Sequence, residues 1–204
     1  MNNSDNEKTS LAENPTEEIE NGEDKKKKNK LVSIILELLF YGIMILLCIF
    51  VIPQYVIQRT IVDGTSMEDT LHDKENLLVE KLSYRFQDPN RFDVVVFYPY
   101  GKEMKQYYVK RIIGLPNETI QIKGADIYIN GKLLDENFGK MPITYDGLAE
   151  EPIVLGDDEY FVMGDNREVS FDSRYEEIGP IKKDLIAGKA IFRIWPLDRF
   201  GFFE

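Results

Sequence analysis

The chain has 204 residues, a formal net charge of −11, one histidine (His72) and one cysteine (Cys48). That composition excludes an intrachain disulfide and a Cys/His zinc site, and a Ser-His-Asp triad would have to use His72, in the same short segment as Ser66, whereas such triads draw their base from a distant segment. No glycine run of the nucleotide-binding type is present, and the length fits about one soluble domain plus an anchor.

Residues 1–24 carry eight acids and one lysine, with few large apolar residues. They cannot bury enough surface to offset chain entropy, and disorder is expected. Residues 25–30, Lys-Lys-Lys-Lys-Asn-Lys, reverse the charge directly before an apolar run, Leu31–Ile52, that Pro53 closes. As a helix its 22 residues reach about 33 Å, enough for a bilayer core of about 30 Å. The lysines on its N-terminal side predict a single-pass protein with a cytoplasmic N-terminus and its main domain outside, so the lipid bilayer is an expected partner. A cleaved leader would have a shorter apolar core and a small-x-small site; Val51–Val56 offers none, which favours an uncleaved anchor. Glu37 interrupts the run near its cytoplasmic third, where a carboxyl can snorkel or be protonated. Residues 31–204 sum to −9, and so acidic a domain argues against nucleic acid as a partner.

Beyond the anchor the pattern turns to short β-like runs rich in Val, Ile, Tyr and Phe: Asn76–Lys81, Phe92–Tyr98, Gln106–Ile113, Thr119–Ile122, Asp126–Ile129 and Tyr160–Met163. Asn130-Gly131, between Ile127–Ile129 and Leu133-Leu134, signals a hairpin. Lys189–Trp195 reads as a last strand ended by Pro196. Residues 135–157 hold few strand signals and many turn residues, and read as a loop-rich insertion.

Ser66 lies in Val62-Asp63-Gly64-Thr65-Ser66-Met67-Glu68-Asp69-Thr70-Leu71, at a break after the apolar Tyr55–Val62 run. Glycine there permits a tight turn and the close approach of another chain. A serine hydroxyl is a poor nucleophile without a base beside it, and alone it would be an ordinary turn residue. Lys110 lies in Tyr107-Tyr108-Val109-Lys110-Arg111-Ile112-Ile113-Gly114-Leu115-Pro116. Strand alternation puts Tyr108, Lys110 and Ile112 on one face and Val109, Arg111 and Ile113 on the other, so one of two adjacent cations is expected to face the interior. Burial would lower the lysine pKa; a base near pH 7 needs a drop of roughly three units, or about 4 kcal/mol. A lysine on a solvated edge strand is the alternative. In Gly164–Arg174 hydrogen-bonding side chains crowd together: Asp172 and Arg174 can pair and hold the loop, and Ser170 is the residue best suited to touch the lysine. A network that only buttresses a turn would have the same composition.

These stretches closely resemble the type I signal peptidases, the membrane-bound Ser-Lys endopeptidases of bacteria, in their shorter single-anchor form common in Gram-positive bacteria. The resemblance rests on Gly64-Thr65-Ser66-Met67, Lys110-Arg111-Ile112-Ile113-Gly114-Leu115-Pro116, Gly164-Asp165-Asn166-Arg167 and Asp172-Ser173-Arg174, in that order. It implies Ser66 as nucleophile with its backbone N–H in the oxyanion hole, Lys110 as general base, Ser170 as a hydroxyl that orients the lysine, and Asp172 and Arg174 as a supporting pair. Val62, Met67, Leu71, Tyr108 and Val109 fall where the family lines its substrate groove. Gly64 stands where some relatives add a serine to the oxyanion hole. The chain has Asp69 where the family often has Pro, Val169 where it has Asn, and Asn117-Glu118 where it has Gly-Asp.

Strand pattern and resemblance together imply a mainly β fold: one transmembrane helix, then a compact catalytic sheet or barrel at 53–204 with a small β/loop insertion around 124–157. The implied activity is removal of signal peptides from secretory precursors at the outer face of the plasma membrane, without metal or organic cofactor. A self-cleaving repressor-type Ser-Lys peptidase would carry a DNA-binding module in place of the anchor. A catalytically dead signal-peptide binder would lack Ser66 or Lys110.

Overall fold

The computed structural model of the protein describes residues 15–139 and 141–203. The chain divides into an N-terminal unit up to Ile49 and a second unit, Phe50–Glu204. In the first, α1 spans Pro15–Leu46. Helix therefore covers residues 15–30, where composition leads to an expectation of disorder; residues 1–14 lie outside the described residues. Two features favour the extension. Proline suits the first helical position, and adding Glu- and Lys-rich turns to an existing apolar helix avoids the nucleation cost that an isolated tail would meet. A π-helical segment, Leu47–Val51, leads into α2, Ile52–Tyr55, with Pro53 in its first turn, so the proline sits where a missing N–H costs least. By length and composition the 30 residues Lys26–Tyr55 suffice to cross a membrane.

The second unit is mainly β. Its strands are β1 (Ile57–Ile61), β2 (Asn76–Glu80), β3 (Val94–Phe97), β4 (Tyr108–Gly114), β5 (Thr119–Lys123), β6 (Asp126–Ile129), β7 (Lys132–Leu133), β8 (Ile153–Val154), β9 (Glu159–Met163), β10 (Ile181–Lys182), β11 (Ile186–Trp195) and β12 (Gly201–Phe202); α3 (Ser83–Phe86) follows β2. An eight-stranded sheet runs β1-β2-β11-β3-β4-β9-β10, with β12 on β11, and a four-stranded sheet runs β7-β6-β5-β8. All pairings are antiparallel.

Both faces of the large sheet are covered, so its central strands read as continuous apolar runs rather than alternating ones. Val94 and Val96 pack with Val62, Met67, Leu71, Leu77 and Val79 on one face; Val95 and Phe97 pack with Ile112, Tyr160 and Val162 on the other. The second sheet packs Ile120, Ile122 and Ile127 against Ile113 of β4 and Phe161 of β9 in a separate core. It begins at Thr119, slightly before the expected insertion boundary. Asn130 and Gly131 both take positive φ (51° and 75°) in the β6–β7 turn, as a two-residue hairpin requires. Within 135–157 the chain forms a short 3₁₀ turn, Gly147–Ala149, and β8.

Candidate active site

The segment carrying Ser66 is a loop between β1 and β2, closed at its base by two backbone bonds, Val62 N–H to the Glu75 carbonyl and Lys74 N–H to the Val62 carbonyl, both 2.8 Å. Gly64 turns the chain at φ 97° and donates its N–H to Asp73 Oδ1 at 2.8 Å. Beyond Ser66 the backbone makes a helical turn, with Leu71 N–H donating to the Met67 carbonyl at 2.8 Å. That turn drives Met67 and Leu71 together into the core. Fully burying such side chains contributes about 1.5–3 kcal/mol each, which holds the serine above the sheet.

Lys110 lies at the centre of β4, opposite Val95 of β3. Its Nζ is 2.6 Å from Ser66 Oγ. Only 4% of the residue is exposed, and removal from water lowers its pKa to about 8; the Asp172 charge acts to raise it, the Arg174 charge to lower it, and the Asp165 charge to raise it. The expectation that one of the two adjacent cations faces the interior understates the result. Arg111 is also buried, on the opposite face of β4, where Asp165 receives it in a fork with Nε–Oδ1 at 2.9 Å and Nη2–Oδ2 at 2.7 Å. Its guanidinium also donates to the Phe92 carbonyl and lies 3.7 Å from the centre of the Phe138 ring.

Gly164–Arg174 packs behind this pair. Asp172 and Arg174 form a buried bidentate ion pair, at 2.8 and 2.9 Å. Asp172 Oδ2 also accepts from Gly164 N–H at 3.0 Å, and Arg174 reaches the carbonyls of Ser170 and Tyr145. Ser170 Oγ accepts from Gly164 N–H at 3.1 Å, and Lys110 Nζ bonds to Ser66 Oγ. The bond to Gly164 braces the loop behind the lysine. Leu71 is fully buried in the core beside Met67 and is not among the residues that line the groove.

A groove of about 640 Å³ opens over Ser66 and Lys110. Val62, Met67, Tyr108 and Val109 line it, together with the β1 residues Gln58–Ile61 and with Val169 and Phe171. Ser66 N–H has no acceptor among the described residues, so this donor is available beside the hydroxyl.

Three groups that position the loop were not singled out from sequence. Gly164 is one: a Cβ there would stand 2.3 Å from both the Ser66 carbonyl oxygen and Ser170 Oγ. Asn166 N–H donates to that same Ser66 carbonyl at 3.1 Å. Thr70 Oγ1 donates to Asp165 Oδ2 at 2.5 Å, tying the serine loop to the carboxylate that holds Arg111. The density of polar residues in 164–174 marks the region but not these partners. Two departures from the family pattern are accounted for locally. Asn117 occupies φ 64°, a conformation asparagine tolerates better than most residues. Glu118 accepts from Leu115 N–H at 2.8 Å and pairs with Arg91 at 2.5 Å.

Comparison with known proteins supplies the lineage. Residues 35–195 match the family described as signal peptidase, peptidase S26. A probable signal peptidase I-2 of Synechocystis sp. is 38% identical over 154 residues, 74% of this chain and 68% of that protein. Signal peptidase I P of Bacillus subtilis subsp. natto is 36% identical over 186 residues, 86% of this chain and 95% of that protein. Signal peptidase I of Bacillus amyloliquefaciens is 40% identical over 154 residues, 72% and 80% of the two chains. A solved signal peptidase I from Enterococcus faecalis V583 is 32% identical, with a TM-score of 0.42, over 50% of this chain and 97% of that one. With its sequence matched from the apolar helix to the end of β11, the chain belongs to the signal peptidases of the S26 peptidase family.

Proposed function

We propose that the chain is a membrane-anchored serine endopeptidase that removes signal peptides from secretory precursors, with Ser66 and Lys110 as its catalytic pair. One observation carries the pair: a buried lysine amine with a lowered pKa stands 2.6 Å from a hydroxyl at the floor of an open groove. With Lys110 neutral, its Nζ lone pair takes the Ser66 proton as Oγ bonds to the scissile carbonyl carbon. The oxyanion that forms is stabilised by Ser66 N–H. Lys110 then returns the proton to the departing amine, and a water, deprotonated by the same lysine, hydrolyses the acyl-enzyme. Asp172, Arg174, Ser170 and Gly164 are positioning residues that hold the wall behind the amine.

The extended substrate runs between Val62–Ser66 and Tyr108–Lys110 and pairs as an added strand. Lys26–Tyr55 spans the plasma membrane with the lysine cluster in the cytoplasm, which puts the groove on the outer face, where precursors emerge. The test is cleavage of a labelled precursor by the detergent-solubilised protein beside its Ser66→Ala and Lys110→Ala forms. Loss of cleavage in both folded variants supports the pair; full activity in either removes it. External protease on spheroplasts should reach loops beyond Arg59 and spare residues 1–30; cutting of that tail from outside reverses the orientation.

A further inference from the structure

We propose that a basic concavity next to the end of the membrane span binds the phosphate of an anionic phospholipid headgroup, an inference that rests on the anchored reading above. The concavity measures about 330 Å³ and is lined by Lys81, Arg85, Lys102 and Lys183, with Tyr84 and Gln54 among its other walls. That is within the range of small-ligand sites, roughly 300–1,000 Å³. Four cations around one hollow are notable in a domain that is otherwise strongly acidic. Their counter-charges are few: Asp184 shares the lining, and Lys183 pairs with Asp88 at 2.6 Å. Among the described residues Lys81, Arg85 and Lys102 have no carboxylate partner.

Chain continuity locates the hollow. Gln54 lines it and is the next-to-last residue of the span Lys26–Tyr55. Lys81 Nζ donates to the carbonyls of Pro53 and Gln54, at 3.4 and 3.3 Å, and the Arg85 guanidinium stands 5.3 Å from the Tyr55 ring. Two of the cations are therefore fastened to the last turn of the anchor, which must leave the bilayer at its headgroup layer. Apolar side chains flank them: Phe86, beside Arg85, is 83% exposed, and Met104, on the same short turn as Lys102, is 66% exposed. Cations interleaved with exposed apolar side chains are the composition of a surface that rests in the bilayer interface. A phosphodiester seated among Lys81, Arg85 and Lys102 would hold the catalytic unit against the membrane by charge as well as by its tether.

The experiment uses the full chain reconstituted into phosphatidylcholine nanodiscs with and without phosphatidylglycerol, with lipids retained on the protein counted by native mass spectrometry after mild detergent release. Wild type should retain phosphatidylglycerol in preference to phosphatidylcholine. Arg85→Gln/Lys102→Gln should lose that preference by roughly tenfold or more, while Lys123→Gln/Lys132→Gln, with the same change in net charge on the second sheet, should keep it. Equal retention by both double variants would overturn the site. Displacement of the lipid by millimolar inorganic phosphate would make the ligand a soluble anion and overturn the lipid assignment. Flotation of wild type with pure phosphatidylcholine vesicles tests the anchor separately: failure there sinks the anchored reading, whereas flotation without phosphatidylglycerol preference sinks only the headgroup site.

Discussion

Lys110 Nζ stands 2.6 Å from Ser66 Oγ although 44 residues separate them in the chain. The contact joins the centre of β4 to a loop outside the strands, and both partners are held from below. Lys110 is pinned by the register of β4 with β3, and Ser66 by the burial of Met67 and Leu71. In the proposed catalytic pair, the contact between the hydroxyl and the desolvated amine is useful only while the amine is neutral.

That condition sets the pH dependence. Burial lowers the Lys110 pKa to about 8, so the ammonium form dominates below that value and the base is lost as pH falls. kcat/KM should rise about tenfold per pH unit up to roughly 8 and level off above it. The stability sign runs in the same direction. The unfolded chain binds more protons between the lowered pKa and the ordinary lysine value, so folding becomes more favourable as pH rises through that window. Lys110→Met should be inactive yet more stable than wild type at neutral pH. A flat kcat/KM profile from pH 5 to 9 would contradict the neutral-lysine base.

Asp172→Asn separates the two roles of the buried ion pair. Asparagine can still accept from Gly164 N–H, but Arg174 loses its counter-charge, at about 3–5 kcal/mol. The Asp172 charge raises the Lys110 pKa and Arg174 lowers it. The variant should therefore melt earlier, and its acid limb should move to lower pH in what remains folded. An acid limb displaced upward would show that Asp172 acts on the lysine by another route.

Gly164→Ala tests the approach of two backbones. The added methyl would meet the Ser66 carbonyl and Ser170 Oγ at 2.3 Å, and backbone cannot rotate aside as a side-chain tip can. We expect about 1–3 kcal/mol of destabilisation and a loss of kcat larger than any change in KM, because Ser66 is displaced from Lys110. Unchanged kcat would mean that the loop relaxes without moving the serine.

Leu71→Ala distinguishes core from groove. With no exposed surface, Leu71 should cost about 2–5 kcal/mol of stability on truncation and leave the preference among precursors unchanged. A broadened preference at wild-type stability would return Leu71 to the substrate site.

Substrate choice should be narrow at the residues one and three before the cut. Alternate side chains of an added strand point to one wall, here formed by Val62, Met67, Tyr108 and Val109. In a precursor series, alanine at both positions should be cut well. Phenylalanine just before the cut should lose roughly a hundredfold or more, because it displaces the carbonyl from Ser66. Efficient cutting after phenylalanine would exclude this arrangement.

Local patterns were sufficient for several features of this protein. Short runs rich in Val, Ile, Tyr and Phe marked seven of the strands, Asn130-Gly131 marked its hairpin, and the apolar run Leu31–Ile52 marked the N-terminal helix. The contexts of Ser66 and Lys110 pointed to each other through family resemblance. Tertiary structure decided the rest, because it depends on what covers each surface. Alternation separates Lys110 from Arg111, but both are buried, since Ser66 Oγ and the Gly164–Arg174 segment enclose the lysine amine while Asp165 and Phe138 meet the guanidinium. The two-residue strands β8, β10 and β12 exist because longer partners pair with them, not through any pattern of their own. Ser170 accepts from Gly164 N–H, and Leu71 is enclosed in the core, for the same reason. A sequence specifies which groups need partners; which partner each one finds is decided by the packing of segments far apart in the chain.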